Sequence, residues 1–148
     1  MLKREYEGQN CSIARTLELV GERWTLLIIR DVFRGRRRFD QLRESLGIAT
    51  NVLAVRLDRL VEAGILERMP YQEKPVRHEY RLTERGLELR TPLIALMHWG
   101  DRYLAPDGPP MLTEHSTCGA PVVAQLVCSG CGEIVAPGEL RTHERVPA

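Results

Sequence analysis

The residues with the plainest chemistry lie near the C-terminal end, where His115-x2-Cys118-x9-Cys128-x2-Cys131 sets nitrogen and sulfur donors at short spacing. A Cys-x2-Cys pair followed by glycine, as in CSGCG, is a knuckle that lets two thiolates grip one tetrahedral zinc while backbone amides point at the sulfurs. Three thiolates and an imidazole would complete a closed, structural zinc site, with His143 able to stand in for His115. Reduced thiols on a hairpin, or a pairing of Cys118 with Cys128 or Cys131, are the competing arrangements. The remaining cysteine, Cys11, stands just before a helical segment. There the macrodipole and unpaired amides favour a thiolate, the form that oxidants and electrophiles attack, so Cys11 is a sensor candidate; a buried structural thiol is the alternative.

A second kind of chemistry is cationic. Between Arg23 and Arg43 seven arginines face two aspartates, a local net of +5 in a chain whose overall charge is +1. Such a cluster can track a phosphate backbone, although a solvated charged face has the same composition. Next to it comes NVLAVRLDRL, residues 51–60. Leu53, Leu57, Leu60 and Val61 form the stripe that buries against a core, which turns Asn51, Val52, Val55 and Arg59 outward. Two β-branched apolar residues beside an amide and a guanidinium make an unusual wet face for a helix.

The elements that must position these residues follow from the pattern. Ser12 is expected to cap a helix that stops at Gly21, and ERWTLLIIRDVF is apolar around much of its circumference, so it should be the most buried helix. FDQLRESLG is a short amphipathic helix. Only Gly47, Ile48 and Ala49 separate it from the next, which Thr50 is expected to cap and Gly64 to end, so the pair makes a helix-turn-helix. ILERMPY and VRHEYRLT, joined by QEKP, predict a hairpin with a basic tip (Lys74, Arg77). Thr83 should cap a last long helix through Leu104, started again or kinked at Pro92, with more apolar residues than one packed face needs. The fold class is therefore mainly α with a small β-hairpin wing, a winged helix-turn-helix. Residues 1–105 form the winged-helix and dimerisation domain, and residues 106–148 a turn-rich linker and a small Cys-containing β tail.

At 148 residues and 43% hydrophobic content the chain supports one ordinary core with an appendage. The start lacks an apolar signal region and no run approaches the roughly 20 residues of a membrane span, which places the protein in the cytoplasm. Cysteines in that setting are free thiols, metal ligands or redox switches rather than a disulfide framework.

Cys11, RTLELVGERWTLLIIRDVFRGRRRFDQL, GIATNVLAVRLDRLVEAGILER, VRHEYRLTERGLEL and the Trp-containing last helix occur in one order over residues 11 to 104. In this the chain resembles the HxlR family of bacterial winged-helix transcription regulators, relatives of the MarR regulators. The resemblance implies a homodimer, clasped by its N- and C-terminal helices, that binds an imperfect palindrome in double-stranded DNA and represses or activates nearby genes. It also implies a cysteine at the place of Cys11 that senses oxidants, quinones or aldehydes. Ser12 stands where the family commonly has proline, and the outer face of the second helix of the pair is more apolar than most.

On that basis the outward residues acquire roles. Asn51 can give and accept two hydrogen bonds with adenine, Arg59 can reach guanine or a phosphate, and Val52 and Val55 can touch thymine methyl groups. Packing of the two valines on the wing or a neighbouring helix is the alternative. Arg36, Arg37, Arg38, Arg56, Lys74 and Arg77 are the phosphate candidates, with Arg56 equally able to brace the preceding helix. Two other functions compete: a thiol redox protein using Cys128 and Cys131, and a winged-helix protein-interaction module without DNA. The first wants its cysteines at a helix start, whereas Gly132, Ile134 and Val135 predict a strand. The second predicts no arginine cluster. The four histidines lack any recognisable nucleophile partner, so the chain is not expected to be an enzyme.

Overall fold

The computed structural model describes residue 6 and residues 8–146. Residues 1–5 and 7 of the expected polar arm lie outside that description. Two compact units divide the chain between Leu93 and Ile94. The division falls inside the last long helix, whose later turns belong to the same unit as the tail. Among the described residues no helix is long and apolar enough to cross a membrane.

The first unit contains helices α1 (Ser12–Val20), α2 (Thr25–Phe33), α3 (Phe39–Leu46), α4 (Thr50–Glu62) and the short α5 (Glu84–Leu87), with strands β1 (Leu66–Glu73) and β2 (Val76–Leu82) between α4 and α5. The order is that of a winged helix. Its core draws Val20 from α1, Ile28, Ile29 and Val32 from α2, Leu42 from α3, Ile48 from the following turn, Leu53, Leu57 and Leu60 from α4, and Ile65 and Leu66 from the start of the wing. Each fully buried aliphatic side chain contributes about 1.5–3 kcal/mol relative to exposure, so the three leucines of α4 seat that helix firmly.

Polar contacts fix the angle between the helices. Asp31 is completely buried, a costly position for a carboxylate without partners. It accepts a 2.9 Å bond from Arg30 Nε and a 2.6 Å bond from Ser45 Oγ, which ties α2 to α3. Gly47 ends α3 at φ +62°, a left-handed conformation that glycine adopts without steric penalty, and Ile48 is buried directly behind it.

Several expected helix ends shift. Cys11, not Ser12, is the N-cap of α1; Ser12 is the first helical residue, and its carbonyl accepts from Thr16 Oγ1 at 2.8 Å. Ala49, not Thr50, is the N-cap of α4, because the chain already turns helical at Thr50. Helix α2 begins at Thr25, three residues later than expected. The last long helix divides into α5, which Thr83 does cap through Gly86 N, and α6 (Arg90–Tyr103). Pro92 sits in the first turn of α6, where its missing N–H has no intrahelical acceptor to lose.

The wing also differs from expectation. Gln72 and Glu73 belong to β1, leaving Lys74 and Pro75 alone at the tip. The antiparallel register slips between Pro70 and Gln72, a bulge beside a residue that cannot donate to the ladder.

In the second unit, α6 continues to Tyr103, and the tail contains β3 (Leu126–Val127) paired antiparallel with β4 (Ile134–Val135), then a short 3-10 turn at Pro137–Glu139. Ala124 N donates to His98 Nδ1 at 3.3 Å, fastening the tail to α6.

Candidate nucleic-acid interface

Helix α4 presents two different faces. Leu53, Leu57 and Leu60 are buried, while Asn51 and Val55, one turn apart, are exposed, Val55 by 49%. Val52, expected beside them, is half-buried and packs against the core cluster. Its β-branched side chain is thus partly accounted for by packing, whereas that of Val55 is not.

The two arginines of α4 meet one acid. Glu22, in the turn between α1 and α2, accepts from Arg56 at 2.8 Å and lies 3.4 Å from Arg59. The Arg56 side chain is only 17% exposed and its Nε is buried without a partner. Arg56 therefore braces the α1–α2 turn and is not one of the freely exposed cations. Arg59 remains accessible, with 44% of its side chain exposed, in an ion pair open to solvent. Glu22 was not singled out in the sequence because it precedes the arginine cluster by one residue and its partners lie more than thirty residues away.

The arginine run between α2 and α3 is built into the wing. Tyr80 N donates to Arg37 O at 2.7 Å and Arg38 forms an antiparallel bridge with Glu79, so this segment lies along β2 as a third edge. Gln41 Oε1 accepts from the amides of Arg37 and Arg38 and holds the turn. The Arg38 guanidinium lies 4.2 Å from the centre of the Tyr71 ring, the residue at the wing bulge. The Arg36 guanidinium lies 4.0 Å from the Asp31 carboxylate without a hydrogen bond to it, and 43% of its side chain is exposed. Arg37, Arg38, Lys74 and Arg77 are exposed. Other wing cations have internal partners: Arg68 pairs with Asp58, and Arg81 with Glu79. The hydrogen bond that Arg68 donates to the Tyr80 oxygen is the main cause holding the Arg68 pKa above its ordinary value.

At the start of α1 the Cys11 thiol is lowered below its ordinary pKa, first by the amide of Ala14, then by that of Ile13, with Arg15 adding a smaller effect. Its sulfur closes no full capping bond, yet it is partly accessible beside the helix start. In the tail, His115 Nδ1 lies 3.4 Å from Cys118 Sγ. The Cys128 thiol is lowered by the amides of Cys131 and Gly130 and by the Cys131 side chain. Cys128 and Cys131 flank a turn between β3 and β4, not a helix start. No three of the expected ligands converge among the described residues.

Comparison with known proteins agrees with this architecture. Residues 19–108 match the HxlR-like helix-turn-helix family. The chain is 52% identical over 133 residues to the HTH-type transcriptional regulator Mb3122 of Mycobacterium bovis, itself uncharacterised, covering 89% of this chain and 83% of that protein. The crystal structure of PA1607 superposes with a TM-score of 0.82 at 37% identity, covering 93% of this chain and 97% of that one. The reduced form of the transcriptional regulator YodB from Bacillus subtilis gives a TM-score of 0.56 at 33% identity, over 66% of this chain and 98% of that one; a diamide-treated form of YodB is also similar. With the helix-turn-helix, the wing and the family match all in register, this chain belongs to the HxlR-like helix-turn-helix family.

Proposed function

We propose that the protein is a dimeric, DNA-binding transcription regulator that reads a pseudo-palindromic operator through α4 and is switched by chemistry at Cys11. The observation that carries this reading is the exposed pair Asn51 and Val55 on a helix otherwise locked into the core, flanked by an arginine segment hydrogen-bonded to the wing. In a major groove, Asn51 pairs with adenine and Val55 meets a thymine methyl; Arg59 exchanges Glu22 for guanine or phosphate. Arg37, Arg38, Lys74 and Arg77 hold the phosphates on either side and fix register without reading sequence.

Dimerisation is supported by apolar surface within each unit. Ile13, Leu17 and Leu19 are exposed on α1, and Leu96, Trp99 and Tyr103 on α6, with Leu104 following. Two-fold symmetry sets the reading helices about 34–36 Å apart, hence half-sites separated by about one turn of DNA or a multiple. The redox reading rests on the lowered thiol at the start of α1, a helix of the proposed dimer surface, and on the similarity to YodB, known in reduced and diamide-treated forms. A modified Cys11 would alter the packing of α1 and with it the spacing of the two α4 helices.

The test is fluorescence anisotropy on DNA from upstream of the protein's own gene, over a salt series, with Asn51→Ala in parallel. Nanomolar binding that weakens steeply with salt, and loses sequence preference in the variant, supports the reading. Equal micromolar binding to unrelated DNA by the reduced protein, indifferent to Asn51, overturns it.

A further inference from the structure

The tail has two turns that share one backbone pattern although their sequences, HSTCGA and CSGCGE, differ at half their positions. In the first, His115 N donates to Ala120 O at 2.9 Å and Gly119 N to His115 O at 2.8 Å; in the second, Cys128 N donates to Glu133 O at 2.9 Å and Gly132 N to Cys128 O at 2.9 Å. Gly119 at φ +71° and Gly132 at φ +76° close the two turns in the left-handed region that glycine adopts freely. Each turn therefore carries a donor side chain at its first and fourth positions, His115 with Cys118 and Cys128 with Cys131. Two hairpin turns built to one template, each presenting two soft or borderline ligands, carry between them the donor set of a tetrahedral Cys3His site.

Two further observations point to a metal. Zn–N of about 2.0–2.1 Å and Zn–S of about 2.3 Å at a tetrahedral angle put two donor atoms roughly 3.5 Å apart. The His115 Nδ1 to Cys118 Sγ distance is 3.4 Å. The tail also has no apolar core: among the described residues from 94 onward no side chain is buried, and Val123, Leu126, Val127 and Ile134 are all exposed. Strands of two residues cannot hold such a unit together, and small units of this kind are stabilised by metals or cross-links. All four cysteines are free thiols.

We propose that His115, Cys118, Cys128 and Cys131 bind one structural zinc ion per chain, which draws the two preformed turns together and orders the tail. Among the described residues no three of these ligands meet. The nine residues between Cys118 and Cys128 form no helix, and their strand pairing is confined to β3 and a bridge from Pro121 to Glu114, so closing the site requires this connection to move. Metal binding and ordering of the tail are then one event.

The experiment is a Co²⁺ titration of the reduced, metal-stripped full-length protein, followed by displacement with Zn²⁺. One cobalt per chain with the intense absorption of a tetrahedral thiolate site, displaced by one equivalent of zinc, is the expected result. Cys118→Ser and His115→Ala each weaken binding by more than about tenfold, while His143→Ala leaves it unchanged. Operator binding serves as the folding control, because none of the four ligands lies in the core of the first unit. Absence of the cobalt absorption overturns the proposal. So does a titration insensitive to both Cys118→Ser and His115→Ala, or a metal-free tail whose cysteines pair as a disulfide in protein purified without reductant.

Discussion

Arg56 of α4 donates to Glu22 at 2.8 Å across thirty-four positions of sequence, joining α4 to the turn that follows α1. The two side chains are unequal. Arg56 is mostly buried and Glu22 is 41% exposed, so removal of the acid strands a cation that cannot move to water. Glu22→Gln and Arg56→Ala are each expected to destabilise the first unit by about 1–3 kcal/mol, seen as a lowered Tm. Arg59→Ala should leave Tm nearly unchanged, since an exposed ion pair is worth about 0–1 kcal/mol. Equal losses of stability from Arg56→Ala and Arg59→Ala would show that the two arginines are equivalent, contrary to their burial.

The same geometry separates the arginines by their effect on DNA. Each phosphate contact contributes a slope of about −0.9 to log K against log salt. Lys74→Ala and Arg77→Ala are each expected to reduce the magnitude of that slope by about 1, uniformly across operator sequences. Arg56→Ala should weaken binding only as far as it destabilises α4, with the slope retained. A slope that falls in Arg56→Ala and stays constant in the wing variants would move the phosphate contacts from the wing to the helix.

How much of this was legible in the sequence depends on range. The leucine spacing of α4 repeats every three or four residues, so its buried face could be read directly, and the same holds for α2 and α3. Glycine at 47 and the Cys-x2-Cys-Gly pattern mark turns through local backbone preference. Helix starts were less legible: Thr50 and Ser12 are good capping residues, but the chain enters each helix one residue earlier, at Ala49 and Cys11, neither of which makes a side-chain capping bond. Contacts between distant segments left no periodic trace. Glu22 with Arg56, Arg37 with Tyr80 and Asp31 with Ser45 each join elements separated by tens of residues or by a change of element type, and they decide which arginines remain free.

The Cys11 thiol gives a pH prediction. Its pKa is lowered in the folded chain, so folding favours the thiolate. The associated stability is present in full above the ordinary thiol value, about 8.5, and is lost as pH falls through the lowered folded value. Rates of alkylation by iodoacetamide, followed site by site by mass spectrometry, should therefore rise at lower pH for Cys11 in the native protein than in the same protein unfolded in urea. Coincident profiles would mean that the amides of Ala14 and Ile13 do not stabilise the thiolate, and would remove the electrostatic basis for a sensor at this position.

The apolar surfaces of α1 and α6 carry the last prediction. Ile13 is 70% exposed, Trp99 59% and Leu104 71%, while the core of the first unit draws on none of them. A substitution there should alter assembly and spare the fold. Trp99→Glu is expected to shift the protein from dimer to monomer in sedimentation velocity at micromolar concentration, with the Tm of the first unit changed far less than by Leu57→Ala, which should cost about 2–5 kcal/mol. Operator affinity should fall as dimerisation is lost, because a lone α4 reads one half-site, and two half-sites bound by one dimer gain from effective concentration. Binding in Trp99→Glu should then depend on protein concentration and recover on DNA only where monomers are driven together. A monomeric variant that binds the full operator as tightly as the parent would show that α4 and the wing of one chain suffice, and that the exposed faces of α1 and α6 serve another purpose.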